Sequence, residues 1–369
     1  MKKERLFGYD LLKVIAMFMV PSLHFFLYSG YYDQQVTSTG MIFYQPVRLL
    51  FYQCVPLFLM LSGALNSKAK LEKKHYIKIT PIIINSLIVA GVVILYRILY
   101  CKESYSLIVW LQSVWSFSQP GYGWDVNLYI SLFIVMPFLN LAYNALDSQK
   151  KKLAEVLLIV FVTTFAHSVN IIPTKAIGID SIGFVPNYFG GAWPIAYYFV
   201  GMYINEFRPK VNKSICVAAV IILLVAQGLI AYSTTNDIYY SGVNFNNEDI
   251  VALFTSTFIF LIFYDIQVKS EKVKKVFAYL SSLSLTFYLI SFIGDNYFYQ
   301  VMFAGQFTSS KVYPLMFLKI IPLHLLCCTI ASAIIKIPVK YISKWIMNLL
   351  FKITDRKKET EVISEVPEA

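Results

Sequence analysis

The sequence predicts an all-α fold: a polytopic membrane helix bundle with about ten transmembrane helices and both termini in the cytoplasm. Composition is the first observation, because 57% of the 369 residues are hydrophobic and only 14% are charged. A positive mean hydropathy of +0.60 agrees with this and leaves no room for a large soluble domain. The recurrence of long apolar segments and the placement of the basic residues are the other two observations.

Apolar segments of about 18 to 25 residues recur along the chain, and each is long enough to cross a hydrocarbon layer of about 30 Å as a helix. The first follows a basic N-terminus, but it is too long for a signal peptide and lacks a small-residue cleavage site, so it predicts a permanent helix. Residues 105–118 and 338–352 favour interfacial helices. The predicted spans are 7–29, 41–65, 78–100, 124–145, 153–170, 188–206, 214–232, 250–268, 277–299 and 314–336.

The basic residues indicate the direction of these spans. With the N-terminus in the cytoplasm, only Lys102, Lys175 and Lys311 of the 32 Lys and Arg residues fall in outer loops. Because Lys and Arg are enriched in cytoplasmic loops, this asymmetry predicts an even number of crossings. We therefore expect a multi-pass protein of the cell membrane, with a transmembrane domain over 1–345 and a cytoplasmic charged tail over 346–369.

Charge and cysteine content argue against several other classes of protein. The net charge of +11 follows from the predicted topology, so nucleic-acid binding is a poor explanation for it. The five cysteines show neither a disulfide framework nor the spacing of a metal site. We expect a protein without a metal ion, surrounded by membrane lipids.

Two ionisable residues lie inside the first predicted span on one helical face. Lys13 and His24 are eleven residues apart, which places them about 16 Å apart along the axis, with Asp10 on the same stripe. A charge toward the bilayer centre costs at least ~2.5 kcal/mol, so such residues usually face a bundle interior or a water-filled path. The structural alternative pairs Lys13 with Asp10 and bonds His24 to a backbone carbonyl of another helix.

Further polar residues near the predicted outer ends of other spans could assemble a pocket with His24. Each has a structural alternative: the tryptophans can be interface residues, Asp295 and Lys319 can neutralise each other, and His167 can cap a helix. His324, near the middle of the last span, has no partner that the sequence names. The residues in question are Arg48, Trp124, Asp125, His167, Trp193, Asp295 and Lys319.

Four stretches of the chain resemble membrane acyltransferase family 3, a family of polytopic O-acyltransferases that modify surface glycans. The first helix of that family carries an arginine, ten residues and a histidine, and Lys13 to His24 has this spacing. The block from Arg48 to Gly63, with its Pro-Leu-Phe and Ser-Gly, resembles the second helix. Residues 193–203 are similar to the aromatic-Gly span, and residues 285–290 to the penultimate helix.

Two positions depart from the family pattern. Lys13 stands in place of the signature arginine, which keeps the charge but loses the bidentate guanidinium. Ser291 stands where many members carry a histidine after the Tyr-Leu-Ile of the penultimate helix. A weakened or differently tuned enzyme would be consistent with both changes.

The resemblance implies that an acyl group passes from cytoplasmic acyl-CoA, most commonly acetyl-CoA, to a hydroxyl of an extracytoplasmic carbohydrate. The acceptor expected is a surface polysaccharide or a lipid-linked glycan. His24 would act as general base and Lys13 would orient the donor, so we assign both as catalytic. Binding roles follow from charge and predicted depth: Arg48, Lys74 and Lys78 for the donor, and Trp124, Asp125 and Trp193 for the acceptor. Arg48 could instead stabilise the developing oxyanion or bind the acceptor.

Two other interpretations remain open at this point. A transporter or flippase of a glycan or a small anionic substrate also buries Lys, His and Asp in its helices, although the two halves of the chain show no obvious repeat. A sensor or assembly factor without catalysis is consistent with Lys13 and Ser291. Direct transfer and a covalent acyl-histidine route both fit the residues.

Overall fold

Every element of the described residues is a helix in the computed structural model. The structure describes residues 6–35, 40–116, 122–169, 185–234 and 245–364. The helices are α1 (Phe7–Tyr28), α2 (Met41–Tyr52), α3 (Cys54–Asn66), α4 (Lys73–Ile77), α5 (Thr80–Leu99), α6 (Leu107–Trp115), α7 (Trp124–Ala145), α8 (Gln149–Val160), α9 (Trp193–Phe207), α10 (Lys213–Thr234), α11 (Ile250–Phe263), α12 (Glu271–Ser281), α13 (Ser284–Tyr297) and α14 (Tyr313–Ser364). Turns of π-helix follow α8 (Phe161–Phe165) and α13 (Phe298–Met302).

Within the described residues, seven helical segments are long and apolar enough to cross a membrane, or eight if α12 and α13, bent by 59°, form one span. The predicted spans 188–206 and 250–268 correspond to α9, of 15 residues, and α11, of 14 residues. At a rise of 1.5 Å per residue, these two helices reach only about 22 Å. The count of ten spans and the cytoplasmic location of the termini therefore remain predictions.

The two segments predicted to be interfacial helices differ in the structure. Residues 105–118 contain the separate short helix α6. Residues 338–352 instead continue α14, which runs through Pro338 to Ser364. Pro338 removes one backbone hydrogen bond, but it does not end the helix. The boundary predicted at residue 345 falls inside this helix and stays a prediction.

The contacts of the chain group its residues into two compact units. The first unit comprises residues 1–67, 143–284 and 294–327, and the second comprises residues 68–142, 285–293 and 328–369. In the second unit, the His75 ring stacks on Phe133 at 4.1 Å. The Thr286 hydroxyl donates to the Asn85 side-chain oxygen at 3.1 Å, a polar contact within its buried interior.

In the first unit, α3 and α9 pack with their backbones in direct contact. A Cβ atom at Gly63 would collide with the Tyr198 carbonyl, and one at Gly201 would collide with the Met60 carbonyl. Glycine is required at both positions because any side chain would force the two helices apart. The first helix is fixed to the same unit, since the Ser281 hydroxyl of α12 donates to Asp10 of α1 at 2.6 Å.

Candidate active site

His24 is held near the C-terminal end of α1, one turn before the helix ends at Tyr28. Its side chain is buried, with 8% of the residue exposed. The ring therefore faces the interior of the first unit, as expected for an ionisable residue in an apolar helix.

Asp295 of α13 is the partner of His24. The His24 Nδ1 atom lies 2.7 Å from Asp295 Oδ2, a distance typical of a charge-assisted hydrogen bond. Asp295 is completely buried, so its carboxylate has exchanged water for protein donors. The structural alternative for His24 is a hydrogen bond to a backbone carbonyl. The structure instead places the Asp295 carboxylate at Nδ1.

His324 of α14 lies on the other side of the same carboxylate. Its Nε2 atom is 3.0 Å from Asp295 Oδ1, and the residue is fully buried. Asp295 thus contacts two imidazole rings, whereas Lys319 is exposed and forms no ion pair with it among the described residues. The alternative in which Lys319 neutralises Asp295 is therefore wrong, because the basic side chains within 4 Å of the carboxylate are, among the described residues, those of His24 and His324.

This arrangement determines how the His24 ring can act. When Nδ1 carries the proton, it donates to Asp295, and the lone pair of the neutral ring is then on Nε2. If Nε2 takes up a proton, the adjacent carboxylate stabilises the imidazolium that forms. The pair has the geometry of a general base with its orienting acid.

Aromatic side chains lie close to this group of three side chains, and the Phe298 ring is 5.8 Å from the His324 ring. Tyr299, one turn after Asp295, stacks on Tyr28 with the ring centroids 5.4 Å apart. Phe25 lies with its ring 6.2 Å from that of Tyr299 and 5.3 Å from that of Phe317. Apolar walls exclude water and so strengthen the electrostatic interactions of the buried groups.

Lys13 and Arg48 belong to the first unit together with His24. Lys13 is half-buried on α1. Arg48 is buried in α2, where its Nε donates to the Tyr32 hydroxyl at 2.9 Å and its guanidinium lies 4.9 Å from the centre of the Tyr52 ring. Arg48 therefore presents a cation in an aromatic setting, which suits an anionic or polar ligand group.

The remaining donor and acceptor residues predicted from sequence divide between the units. Lys74, Lys78 and Trp124 belong to the second unit and are exposed. The Asp125 side chain lies outside the described residues. The structure therefore does not bring Lys74 and Lys78 together with Arg48 in one unit.

Trp193 opens α9 in the first unit and is 9% exposed. Its ring meets Tyr197 edge-on at 5.7 Å, and the Tyr197 hydroxyl donates to the Asn247 carbonyl at 2.7 Å. The burial of the Trp193 ring differs from the exposed position expected of an interface residue.

His167 lies among acidic groups and does not act as a simple helix cap. Its Nε2 is 3.2 Å from Glu248 and 3.9 Å from Asp249. Burial raises the pKa of the Asp249 carboxyl, against the opposing effects of the Asn246 N–H and His167. Asp249 precedes α11 and accepts the Asn246 N–H at 2.7 Å, and the Ser168 hydroxyl oxygen accepts the N–H of Ile250, the first residue of that helix, at 2.8 Å.

No grouping of three or more His, Cys, Asp or Glu side chains that could hold a metal ion occurs in the part of the chain that the structure describes.

A family model described as an acyltransferase domain matches residues 6–334. The chain belongs to membrane acyltransferase family 3. The match includes α1, α3 and α9, and also the three residues of the histidine–aspartate cluster. Membership indicates an acyltransferase enzyme, and the apolar helices fit a membrane protein. No curated protein and no solved structure shows a significant match to the chain.

Ser291, at one of the two departures from the family pattern, makes an ordinary contact within its own helix. Its hydroxyl donates to the Tyr288 carbonyl at 2.6 Å. The second imidazole beside Asp295 is that of His324, which lies on a different helix.

Sequence reasoning singled out His24, Asp295 and His324 separately but did not join them. The available signal was that each is an ionisable residue within an apolar segment, where an uncompensated charge is costly. Sequence reasoning missed Tyr299, although its position one turn after Asp295 places both side chains on one helical face.

Proposed function

We propose that this protein is a membrane O-acyltransferase that moves an acyl group, with acetyl as the expected group, from cytoplasmic acyl-CoA to a hydroxyl of an extracytoplasmic carbohydrate. Membership of membrane acyltransferase family 3 supports the reaction class. The contact of 2.7 Å between His24 Nδ1 and Asp295 is the observation that carries the mechanism.

The proposed reaction is a direct transfer. Nε2 of His24 removes the proton of the acceptor hydroxyl as its oxygen bonds to the thioester carbonyl carbon. The carbon–sulfur bond then breaks, and the thiolate of CoA takes the proton back from His24. A positioned base of this kind contributes a factor of about 10²–10⁴ in rate.

Asp295 and His324 support this base. Asp295 holds the His24 ring in the tautomer whose lone pair is on Nε2, and its charge stabilises the imidazolium. His324, at 3.0 Å from the other carboxylate oxygen, keeps the buried Asp295 compensated and oriented. His324 is thus a positioning residue in this proposal.

The substrate-binding roles extend the proposal with the charges available. In the first unit, Lys13 orients the donor and Arg48 binds one of its polar groups, whereas the exposed Lys74 and Lys78 of the second unit attract phosphates of acyl-CoA. Trp193 of the first unit, and Trp124 and Asp125 of the second, are each assigned to binding of the carbohydrate, because aromatic rings stack on sugars. A lysine in place of the family arginine at position 13 contributes charge without bidentate bonding, so weaker donor binding follows.

The test is transfer of isotope from labelled acetyl-CoA to surface glycans taken from cells that lack the protein. The purified protein is assayed in proteoliposomes beside His24→Ala. We expect the turnover of His24→Ala to be lower by a factor of about 10²–10⁴, because the substitution deletes the base and leaves the fold intact. His75→Ala is the matched control, since His75 is also buried but stacks on Phe133 in the second unit.

Three results would contradict the proposal. Full turnover in His24→Ala would remove His24 as the base, and an equal loss in His75→Ala would show a general effect of deleting a buried ring. Movement of a glycan across the membrane without incorporation of label would identify a carrier instead of an acyltransferase.

A further inference from the structure

The hydroxyl of Tyr299 is a buried donor without a hydrogen bond. The residue is 5% exposed, and its oxygen has no hydrogen-bond partner among the residues that the structure describes. Buried polar groups are nearly always paired, so an unpaired hydroxyl beside reactive side chains needs an explanation. A phenylalanine would fill the same space without this cost.

Tyr299 lies close along its helix to the His24–Asp295 pair. Tyr299 lies in the π-helical turn after α13, four residues after Asp295, whereas Tyr28 lies four residues after His24 on α1. The two tyrosine rings stack at 5.4 Å. Each partner of the His24–Asp295 pair thus carries a tyrosine one turn further along its helix, and these tyrosines meet.

The surroundings of Tyr299 restrict what the hydroxyl can bond to. Phe25 and Phe307 pack around the ring at 6.2 Å and 5.8 Å and offer no acceptor. Asp295 lies within electrostatic range of the hydroxyl, but no hydrogen bond joins the two groups among the described residues. Packing fixes the ring, so the position of the hydroxyl oxygen is set before any ligand arrives.

We propose that Tyr299 is a further catalytic residue that donates a hydrogen bond to the thioester carbonyl oxygen of the donor as negative charge develops on it. This rests on the proposed function. The acceptor oxygen bonds to the carbonyl carbon and its proton passes to His24, while the carbonyl π electrons move onto the oxygen held by Tyr299. When the carbonyl re-forms, the carbon–sulfur bond breaks and the thiolate takes the proton from His24.

A donor aimed at the oxyanion costs no reorganisation during the reaction and is strongest where water is excluded. The role assigned to Tyr299 is separate from that of Arg48, whose guanidinium contacts Tyr32, in the turn after α1, and Tyr52 of α2.

Tyr299→Phe tests the inference, because it deletes one oxygen and keeps the ring. We expect kcat with acetyl-CoA to fall by about 10²–10³, as for the loss of one oxyanion donor, with little change in KM for the donor. The melting temperature should stay the same or rise, since the variant removes a buried donor that has no partner.

Tyr313→Phe is the matched control from the same aromatic cluster. The Tyr313 hydroxyl donates to the Ser29 carbonyl at 3.1 Å, and its ring lies 5.7 Å from Phe25. This variant should show the opposite signature, with a lower melting temperature and an unchanged kcat per folded molecule. A role of Tyr299 in structure alone would give Tyr299→Phe the same signature as Tyr313→Phe.

The outcomes separate this inference from the proposed function. If His24→Ala is inactive and Tyr299→Phe keeps its kcat, only the role of Tyr299 is overturned. If both variants transfer label at the full rate, the role of His24 as the base fails as well, whereas the proposed function itself fails if the unmodified protein transfers no label. A fall in kcat that is matched by a lower melting temperature would also overturn the role of Tyr299.

Discussion

Asp295 determines, at the scale of single residues, what the two buried histidines can do. One carboxylate lies 2.7 Å from His24 and 3.0 Å from His324, and none of its surface is exposed. A buried charge is costly unless it is paired, and removing a partner costs more than the pair contributes. The three side chains are therefore interdependent, and the effects of changing two of them should not add.

Asp295→Asn tests this interdependence. The amide has the same shape but no charge, so it cannot stabilise His24 after proton uptake, and its NH₂ group can favour the wrong tautomer. We expect kcat to fall by about 10²–10⁴ at constant expression, measured by label transfer from acetyl-CoA.

Asp249→Asn is the control for Asp295→Asn, since Asp249 is also buried and lies 3.9 Å from a histidine, His167. Asp249 directly precedes α11 and accepts the Asn246 N–H, so Asp249→Asn should lower the free energy of unfolding without a comparable loss of kcat. Equal losses of kcat in the two variants would indicate that neither carboxylate has a specific role in the reaction.

At the scale of elements, α3 and α9 approach each other so closely that their backbones are in contact. Gly63 and Gly201 face the carbonyls of Tyr198 and Met60, with no space for a Cβ atom. Both glycines lie in stretches that resemble the family, namely the Ser-Gly ending of the second helix and the aromatic-Gly span. The resemblance there has a packing reason, which is the approach of two backbones.

Gly201→Ala should destabilise the protein. The added methyl group collides with the Met60 carbonyl, and overpacking of this kind costs about 1–3 kcal/mol. A lower midpoint of thermal unfolding in detergent is the expected measurement.

Gly91→Ala provides the comparison, because Gly91 lies inside α5 and a Cβ atom there would have no neighbouring atom within 4 Å. Alanine is the better helix former by up to ~1 kcal/mol, so this variant should be neutral or more stable. A midpoint for Gly201→Ala at or above that of Gly91→Ala would be inconsistent with the close approach of α3 and α9.

Topology is the property of the whole molecule on which the direction of acyl transfer depends. Of the 32 Lys and Arg residues, 25 fall on the cytoplasmic side of the predicted spans and four fall within them, whereas Lys102, Lys175 and Lys311 fall on the other side. If the acyl-CoA donor is in the cytoplasm and the acceptor is outside, both substrates must have access to the His24–Asp295 pair from opposite sides of the membrane.

Reporter fusions test the predicted topology. Alkaline phosphatase, which folds to an active enzyme only outside the cytoplasm, should be active after Lys102 and inactive after Lys150 and at the C-terminus. The positive-inside arrangement of the basic residues is the reason for this expectation. An active fusion at the C-terminus would mean an odd number of crossings and would reverse the predicted direction for the last span.

The sequence alone determined the helical class and the apolar segments, and it singled out His24, because these depend on local composition and on the cost of burying charge in an apolar helix. It also carried the family resemblance that the match over residues 6–334 confirms. Asp295 lies 271 residues from His24 along the chain, and no local pattern specifies which helices meet. Only the tertiary structure decided that Asp295 serves His24 and His324 rather than Lys319, that the Tyr299 hydroxyl is left without a partner, and that 338–352 continues α14. Those outcomes arise from packing between distant helices, where the available space and the need to compensate a buried carboxylate select the partner.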